Sequence, residues 1–276
     1  MIGIFTVVTT IQHQKLSTQQ HEQDKQDAFL LRQHSEWQAE NTRKENVFTT
    51  YLDDVSKLSM LENNTMSLAH IRMKTLTSLR QLDSVLKSHL LLFLYENEFI
   101  FKNSQVPSSP LLKVNGADFN EVHFQGTREA RCSFIGLYLH DVHLWNGSFI
   151  NCKLWFSDFS KSIMYNTIFA NTDLRGSSFK LALLDKGNFT KTNLIGVTFA
   201  GASLIECDFS GARVTRGKVN FMNANLSGAV ISKELLHNAT LSNCVLPNGT
   251  WAPIIMENLI INGDVEQIVS LDVDEK

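Results

Sequence analysis

The sequence predicts a mainly β protein with an α-helical N-terminal region, its C-terminal half being a stacked repeat. Three observations carry this. From Val114 to Trp251 an apolar residue returns at every fifth position: Phe119, Phe124, Phe134, Leu139, Leu144, Phe149, Leu154, Phe159, Met164, Phe169, Leu174, Phe179, Leu184, Phe189, Leu194, Phe199, Leu204 and Phe209. Two residues before most marks the side chain is small, as at Ala117, Cys132, Ser157, Thr172, Ala182 and Cys207. Upstream, Gln12 to Asn46 is polar, helix-favouring and free of Gly and Pro. Helices repeat at about 3.6 residues and strands at about 2, so a sustained period of five requires a repeat architecture whose units stack on their neighbours.

Between the small and the large residue stands a polar one, as at Asp118, Asp158, Asp173, Asn188, Asn193 and Asp208, which the alternation turns toward water. The resulting triplets Ala117-Asp118-Phe119, Thr172-Asp173-Leu174, Thr192-Asn193-Leu194, Cys207-Asp208-Phe209 and Ala224-Asn225-Leu226 resemble the pentapeptide-repeat family. The resemblance implies a right-handed, four-sided β-helix of about seven coils, with one pentapeptide per side. Residues twenty apart then stack. Phe149, Phe169, Phe189 and Phe209 form one predicted column and Leu139, Phe159, Phe179 and Phe199 the opposite one. Leu144, Met164, Leu184 and Leu204, and Leu154, Leu174, Leu194 and Val214, lie between them. These residues, with Phe119, are the predicted core, two wide and two narrower side chains per layer. At about 4.8 Å per coil the predicted rod is roughly 34 Å long.

Two departures stand out. Glu129 occupies a position due for an apolar residue, so the first coil is expected to bulge at Thr127 to Arg131. After Val214 the register slips by two and resumes at Phe221, Leu226, Ile231, Leu236, Leu241, Leu246 and Trp251, which places a two-residue insertion near Thr215 to Lys218. Gly126, Gly136, Gly176, Gly196, Gly201 and Gly211 read as corner glycines, and Asn146 with Asn166 and Asn151 with Asn171 as side-chain ladders.

The net charge of -3 hides a division. Residues 1–110 carry 12 acidic and 11 basic side chains, residues 111–251 carry 10 and 13, and residues 252–276 carry 6 and 1. The repeat is thus mildly basic, below the density of Lys and Arg that a phosphate-tracking surface needs. All four cysteines, Cys132, Cys152, Cys207 and Cys244, take the small interior position, so packing explains them before chemistry does.

In chain order, residues 1–11 are apolar and uncharged. Eleven helical residues cover only about 16 Å of a roughly 30 Å hydrocarbon core. A truncated membrane span and the start of a helix both remain open readings. The family resemblance extends to a membrane-proximal helix at this end. Residues 12–103 form the predicted helical region. Gln12–Asn46 is its solvated stalk, and Leu68, Ile71, Leu76, Leu79 and Leu82 face inward on the helix from Ser67, with Arg72, Lys74 and Arg80 outside. Asp83 caps a last helix from Ser84. Its Leu90-Leu91-Leu92-Phe93-Leu94 run must be buried in a bundle or against the open first coil, an exposed sheet edge that needs a cover. Residues 104–110 are the linker, 111–251 the β-helix, and 252–276 a C-terminal cap and acidic tail.

The nearest approach to a metal site is His123, His140 and His143, with His123 and His143 expected to stack across twenty residues. Zinc wants three or four ligands in a preset tetrahedron, and two stacked surface imidazoles fall short, so no resident metal or other cofactor is expected. No nucleophile, base and orienting acid fall together, and an interior filled by Phe and Leu leaves no ligand-sized pocket. The reading is a non-enzymatic structural or interaction protein that presents a rigid wall to an unknown protein partner, at a membrane or in the cytoplasm. The alternative implied by some family members is a DNA mimic that inhibits a topoisomerase, which the mildly basic repeat disfavours.

Overall fold

The computed structural model describes residues 2–60, 65–102, 110–127, 129–215 and 217–253, and the chain divides into two compact units, Met1–Thr49 and Thr50–Lys276. Both draw on helix α1 (Ile2–Met60). In the first unit every side chain from Lys15 to Glu40 is exposed, including Leu16, Phe29, Leu30, Leu31 and Trp37. Local pairs brace this polar helix: Arg32 Nε to Glu36 at 2.9 Å, and Arg43 to Glu40 at 3.0 Å. Residues 2–11 belong to the same helix. Among the described residues no helix is long and apolar enough to cross a membrane.

The second unit begins with the end of α1, followed by α2 (Thr65–Leu79) and α3 (Ser84–Glu96). Tyr51, Val55, Ile71, Leu79, Leu82, Leu90, Leu91 and Leu94 form their shared core. The Tyr51 hydroxyl meets Thr75 Oγ1 at 2.9 Å inside it, and burial pushes the phenol up to about 12 despite that bond. The inward face of α2 differs from expectation. Ser67, Thr75 and Ser78 are buried, whereas Leu68 and Leu76 are half-buried. The hydroxyl tolerates burial because Thr75 Oγ1 donates to the Ile71 carbonyl at 2.7 Å. Arg72, expected outside, donates to the Lys113 and Asn115 carbonyls at 3.0 Å each and ties the helices to the repeat. Asp83 does cap α3, accepting from the Leu86 N–H at 3.1 Å.

The repeat is a β-helix of short parallel pairings. Its named strands are β1 (His123–Gln125), β2 (Cys132–Ser133), β3 (Ser148–Ile150), β4 (Cys152–Lys153), β5 (Val219–Asn220) and β6 (Ala239–Thr240). Between them single bridges recur every five residues, each joining a residue to the one twenty further on: Tyr138 to Asp158, His143 to Ile163, Ser148 to Ile168, Lys153 to Asp173. Interior rings stack accordingly. Phe149, Phe169, Phe189 and Phe209 follow one another at 5.8, 5.3 and 5.0 Å. Phe159, Phe179, Phe199 and Phe221 follow at 5.1, 5.1 and 5.3 Å. The two columns meet edge to face, as Phe169 and Phe179 do at 5.5 Å and 78°. Phe119, Leu144, Leu154, Met164, Leu174, Leu184, Leu194 and Leu204 are fully buried beside them. Small interior hydroxyls satisfy carbonyls of the preceding coil, with Ser162 donating to Leu139 at 2.7 Å and Thr167 to Leu144 at 2.9 Å.

Three expectations need correction. First, the opening coil is five residues longer than the regular coils of twenty. Asp118 bridges His143, and His123 pairs with Ser148, both twenty-five apart, because Thr127 to Arg131 is an excursion closed by the Thr127 N–H on the Ala130 carbonyl at 2.9 Å. Arg128 lies outside the described residues. Second, Gly126 is not among the corner residues with positive φ, unlike Gly136, Gly176, Gly196, Gly201 and Gly211. It sits where the excursion begins, and an added Cβ would stand 2.5 Å from the Asn151 carbonyl. Third, the period does not run to Trp251. The two-residue slip is present, with Thr198 bridging Asn220 and Asp208 bridging Val230. After Ile231, however, a short helix α4 (Lys233–His237) replaces one side and buries Leu235, not Leu236. Trp251 pairs antiparallel with Val245 and is 68% exposed. The expected linker and the cap and tail beyond Pro253 lie outside the described residues, apart from Pro110 and Ala252–Pro253 at their edges.

The open first coil is covered by α3. Ser88 Oγ accepts from the His123 N–H at 3.1 Å, Lys87 Nζ pairs with Asp118 at 3.0 Å, and the Tyr95 hydroxyl donates to the Ile135 carbonyl at 2.9 Å. Phe101 then bridges Leu137 antiparallel and closes the edge beside Tyr138, whose N–H donates to the Ile100 carbonyl at 2.8 Å.

Candidate interaction surface

With the interior filled, chemistry is left to the outward residues, which the bridges sort into walls. The predicted histidine cluster is split among three of them. Because the opening coil is longer, His123 meets Ser148 (Nδ1 to Oγ, 3.0 Å) and not His143. His143 stands between Asp118 and Ile163, while His140 stacks on Tyr138 at 5.9 Å and lies 3.9 Å from Asp158. Among the described residues no group of three or more His, Cys, Asp or Glu is placed to hold a metal ion. The expected stacking of His123 on His143 is thus not formed. The outward carboxylates Asp158, Asp173 and Asp208 are likewise on different walls, set by their separate bridges to Ser178, Asn193 and Asn188.

One wall is apolar where water is expected. Its outward column runs Asp118, His143, Ile163, Leu183, Ser203, and two positions further on stand Asn120, Trp145, Tyr165, Asp185 and Ile205. Trp145 is 46% exposed, and Tyr165 and Leu183 are 36% exposed each. The Trp145 backbone N–H is fixed by Asn120 Oδ1 at 3.0 Å, and the Asn146 corner below it takes φ +54 and accepts from Asn166 Nδ2 at 3.2 Å. Trp145, Ile163 and Tyr165 line a hollow of about 490 Å³ whose polar rim is Arg80, Asp118, Asn120 and His143. Apolar centre and polar rim are the anatomy of a protein interface. Nothing in the five-residue period distinguishes this wall. Its signal is the outward aromatic pair Trp145 and Tyr165, legible only once the twenty-residue column is drawn.

The wall carrying Lys153, Asp173, Asn193 and Arg213 is polar by contrast. Arg175 lies 4.3 Å over the Trp155 ring and grips Asp173 with two nitrogens, at 2.7 and 3.0 Å. Burial opposes ionisation of Asp173, yet this guanidinium holds its carboxyl below the usual range. The Trp155 N–H lies against that carboxylate without closing a well-formed hydrogen bond.

No curated protein matches the sequence significantly. Among solved structures, QnrB1, a plasmid-mediated fluoroquinolone resistance protein, is similar at 23% identity over 47% of this chain and 65% of its own, with a TM-score of 0.39. Rfr23 from the cyanobacterium Cyanothece 51142 is 23% identical over 38% of this chain and 63% of its own, with a TM-score of 0.27. A pentapeptide repeat protein of the Arabidopsis thaliana thylakoid lumen is 20% identical over 44% of this chain and 80% of its own, with a TM-score of 0.28. The chain thus spans less than two thirds of the first two. The family model for pentapeptide repeats matches eight copies over residues 148–180 and 182–216, the stretch in which the Phe columns are continuous, so this part of the chain carries pentapeptide repeats.

Proposed function

We propose that this protein is a non-enzymatic interaction protein, a right-handed, four-sided solenoid of about seven coils that docks a protein partner on the wall of Trp145, Ile163, Tyr165 and Leu183. The observation that carries the reading is this exposed aromatic and aliphatic cluster on a body whose core Phe and Leu residues are completely buried. Aromatic side chains held rigidly on a surface are the commonest anchors of protein interfaces. The DNA-mimic reading meets the opposite charge, since Arg131, Lys191 and Arg213 gather on one hollow of the repeat. A membrane tether through residues 1–11 rests on their composition alone.

The test is cross-linking capture by the full-length chain and by a Trp145→Ser/Tyr165→Ser variant of unchanged circular dichroism. Partners held by the parent and lost by the variant support the reading. An identical set on both would remove this wall from function.

A further inference from the structure

On another edge of the repeat, the twenty-residue stacking lines up Arg131, Asn151, Asn171, Lys191 and Gly211, with Asp173, Asn193 and Arg213 beside them. Together they bound a hollow of about 560 Å³. Its charge is one-sided. Arg131, Lys191 and Arg213 are exposed and have no ion-pair partner among the described residues, and the one carboxylate, Asp173, is spent on Arg175. Between the cations the groove presents Asn171 and Asn193, whose amides supply both donors and acceptors.

We propose that this groove docks an extended, acidic peptide segment of a protein partner. Each coil advances about 4.8 Å, so Arg131 and Lys191, three coils apart, are separated by roughly 14 Å along the groove. An extended strand repeats a given face about every 6.8 Å. Acidic side chains four residues apart on such a strand therefore meet both cations, and its backbone amides fall on the asparagines. The same geometry suits nucleic acid poorly. A duplex sets a charge about every 1.7 Å, far denser than three cations match. The neighbouring aromatic, Trp155, is covered by Arg175 and offers no stacking platform for single-stranded bases.

The experiment is fluorescence anisotropy of a labelled oligo-glutamate peptide on the full-length chain. Expected are binding that weakens with salt and a loss of affinity of about tenfold or more in Lys191→Asn/Arg213→Gln; Asn keeps the left-handed corner at 191, where φ is +56. Lys180→Gln/Lys186→Gln, which removes two cations elsewhere, should bind as the parent does, and so should Trp145→Ser/Tyr165→Ser, which separates this groove from the apolar wall. No binding by the parent, equal loss in the Lys180/Lys186 variant, or tighter binding of duplex DNA than of peptide would overturn the proposal. So would binding that appears only when Asp264, Glu266, Asp272, Asp274 and Glu275 are neutralised, which would assign the groove to the chain's own acidic end.

Discussion

At the residue scale, the coils turn on left-handed backbone. Every corner from Gly136 to Gly211 holds one residue at φ between +54 and +71, filled by Gly, by Asn or Asp, or against preference by Phe156, Lys161, Leu181, Lys186, Lys191 and Glu206. Such a conformation costs a side chain about 1–2 kcal/mol. Gly136 and Gly196 share it, at φ +71 and +68, and differ only in their surroundings. A Cβ on Gly196 meets nothing closer than 3.8 Å, whereas on Gly136 it stands 2.6 Å from the Lys102 carbonyl. Gly196→Ala should therefore lose about 1 kcal/mol, and Gly136→Ala about 1–3 kcal/mol more, as read by urea denaturation. Equal losses would mean that the segment at Lys102 yields freely. The interior cysteines give a second prediction. Burial raises the Cys207 thiol from 9.0 to about 12 and Cys244 to about 11. Above pH 9.0 the unfolded chain releases these protons while the native state retains them. Stability should be level below that pH and fall as pH rises toward about 12. Thermal midpoints at about pH 7 and about pH 10 should show the drop, and Cys207→Ala should shrink it.

At the element scale, α3 covers the sheet edge of the first coil, and its contribution can be measured through Lys87. That side chain is 11% exposed and its partner Asp118 is 35% exposed, so Lys87→Met leaves a half-buried carboxylate without its ion pair. The expected loss is about 1–3 kcal/mol in chemical denaturation. Lys74→Met, which breaks a more exposed pair with Asp54, should lose under about 1 kcal/mol. The sequence made the repeat legible because every unit states the same three constraints: small, polar, large. The extra length of the first coil was hidden for the same reason, since an excursion of one whole period leaves every mark in phase. Glu129 marks the place, but only column chemistry reveals the length: Phe124 lies on Phe149 at 5.4 Å, aromatic on aromatic, where a uniform twenty-residue count sets it on Leu144. The histidine cluster failed through that same hidden shift. The reach of Arg72 to the Lys113 and Asn115 carbonyls was illegible too, because the donor and its acceptors lie some forty residues apart with no periodic relation.

At the scale of the whole repeat, stability is a sum of neighbour terms, because each coil touches only the coils above and below it. The terms are unequal along the stack. From Phe149 to Phe209 both Phe columns and both Leu columns are fully buried. At the edge of the insertion Val214 is half-exposed; beyond it α4 stands in for one side, and the interior positions Leu241 and Leu246 are only half-buried. Fewer buried contacts per coil mean a lower free energy of local opening. Native-state hydrogen exchange should therefore be ordered: amides of residues 219–246 exchange first, and those of Phe169 to Phe199 last, at rates approaching global unfolding. Phe179→Ala, which removes a ring between Phe159 and Phe199, should cost about 3–5 kcal/mol. It should also collapse the order by bringing the central amides down toward the terminal ones. Uniform exchange along the repeat in the parent would mean that the coils open together, and the neighbour-by-neighbour description would then fail.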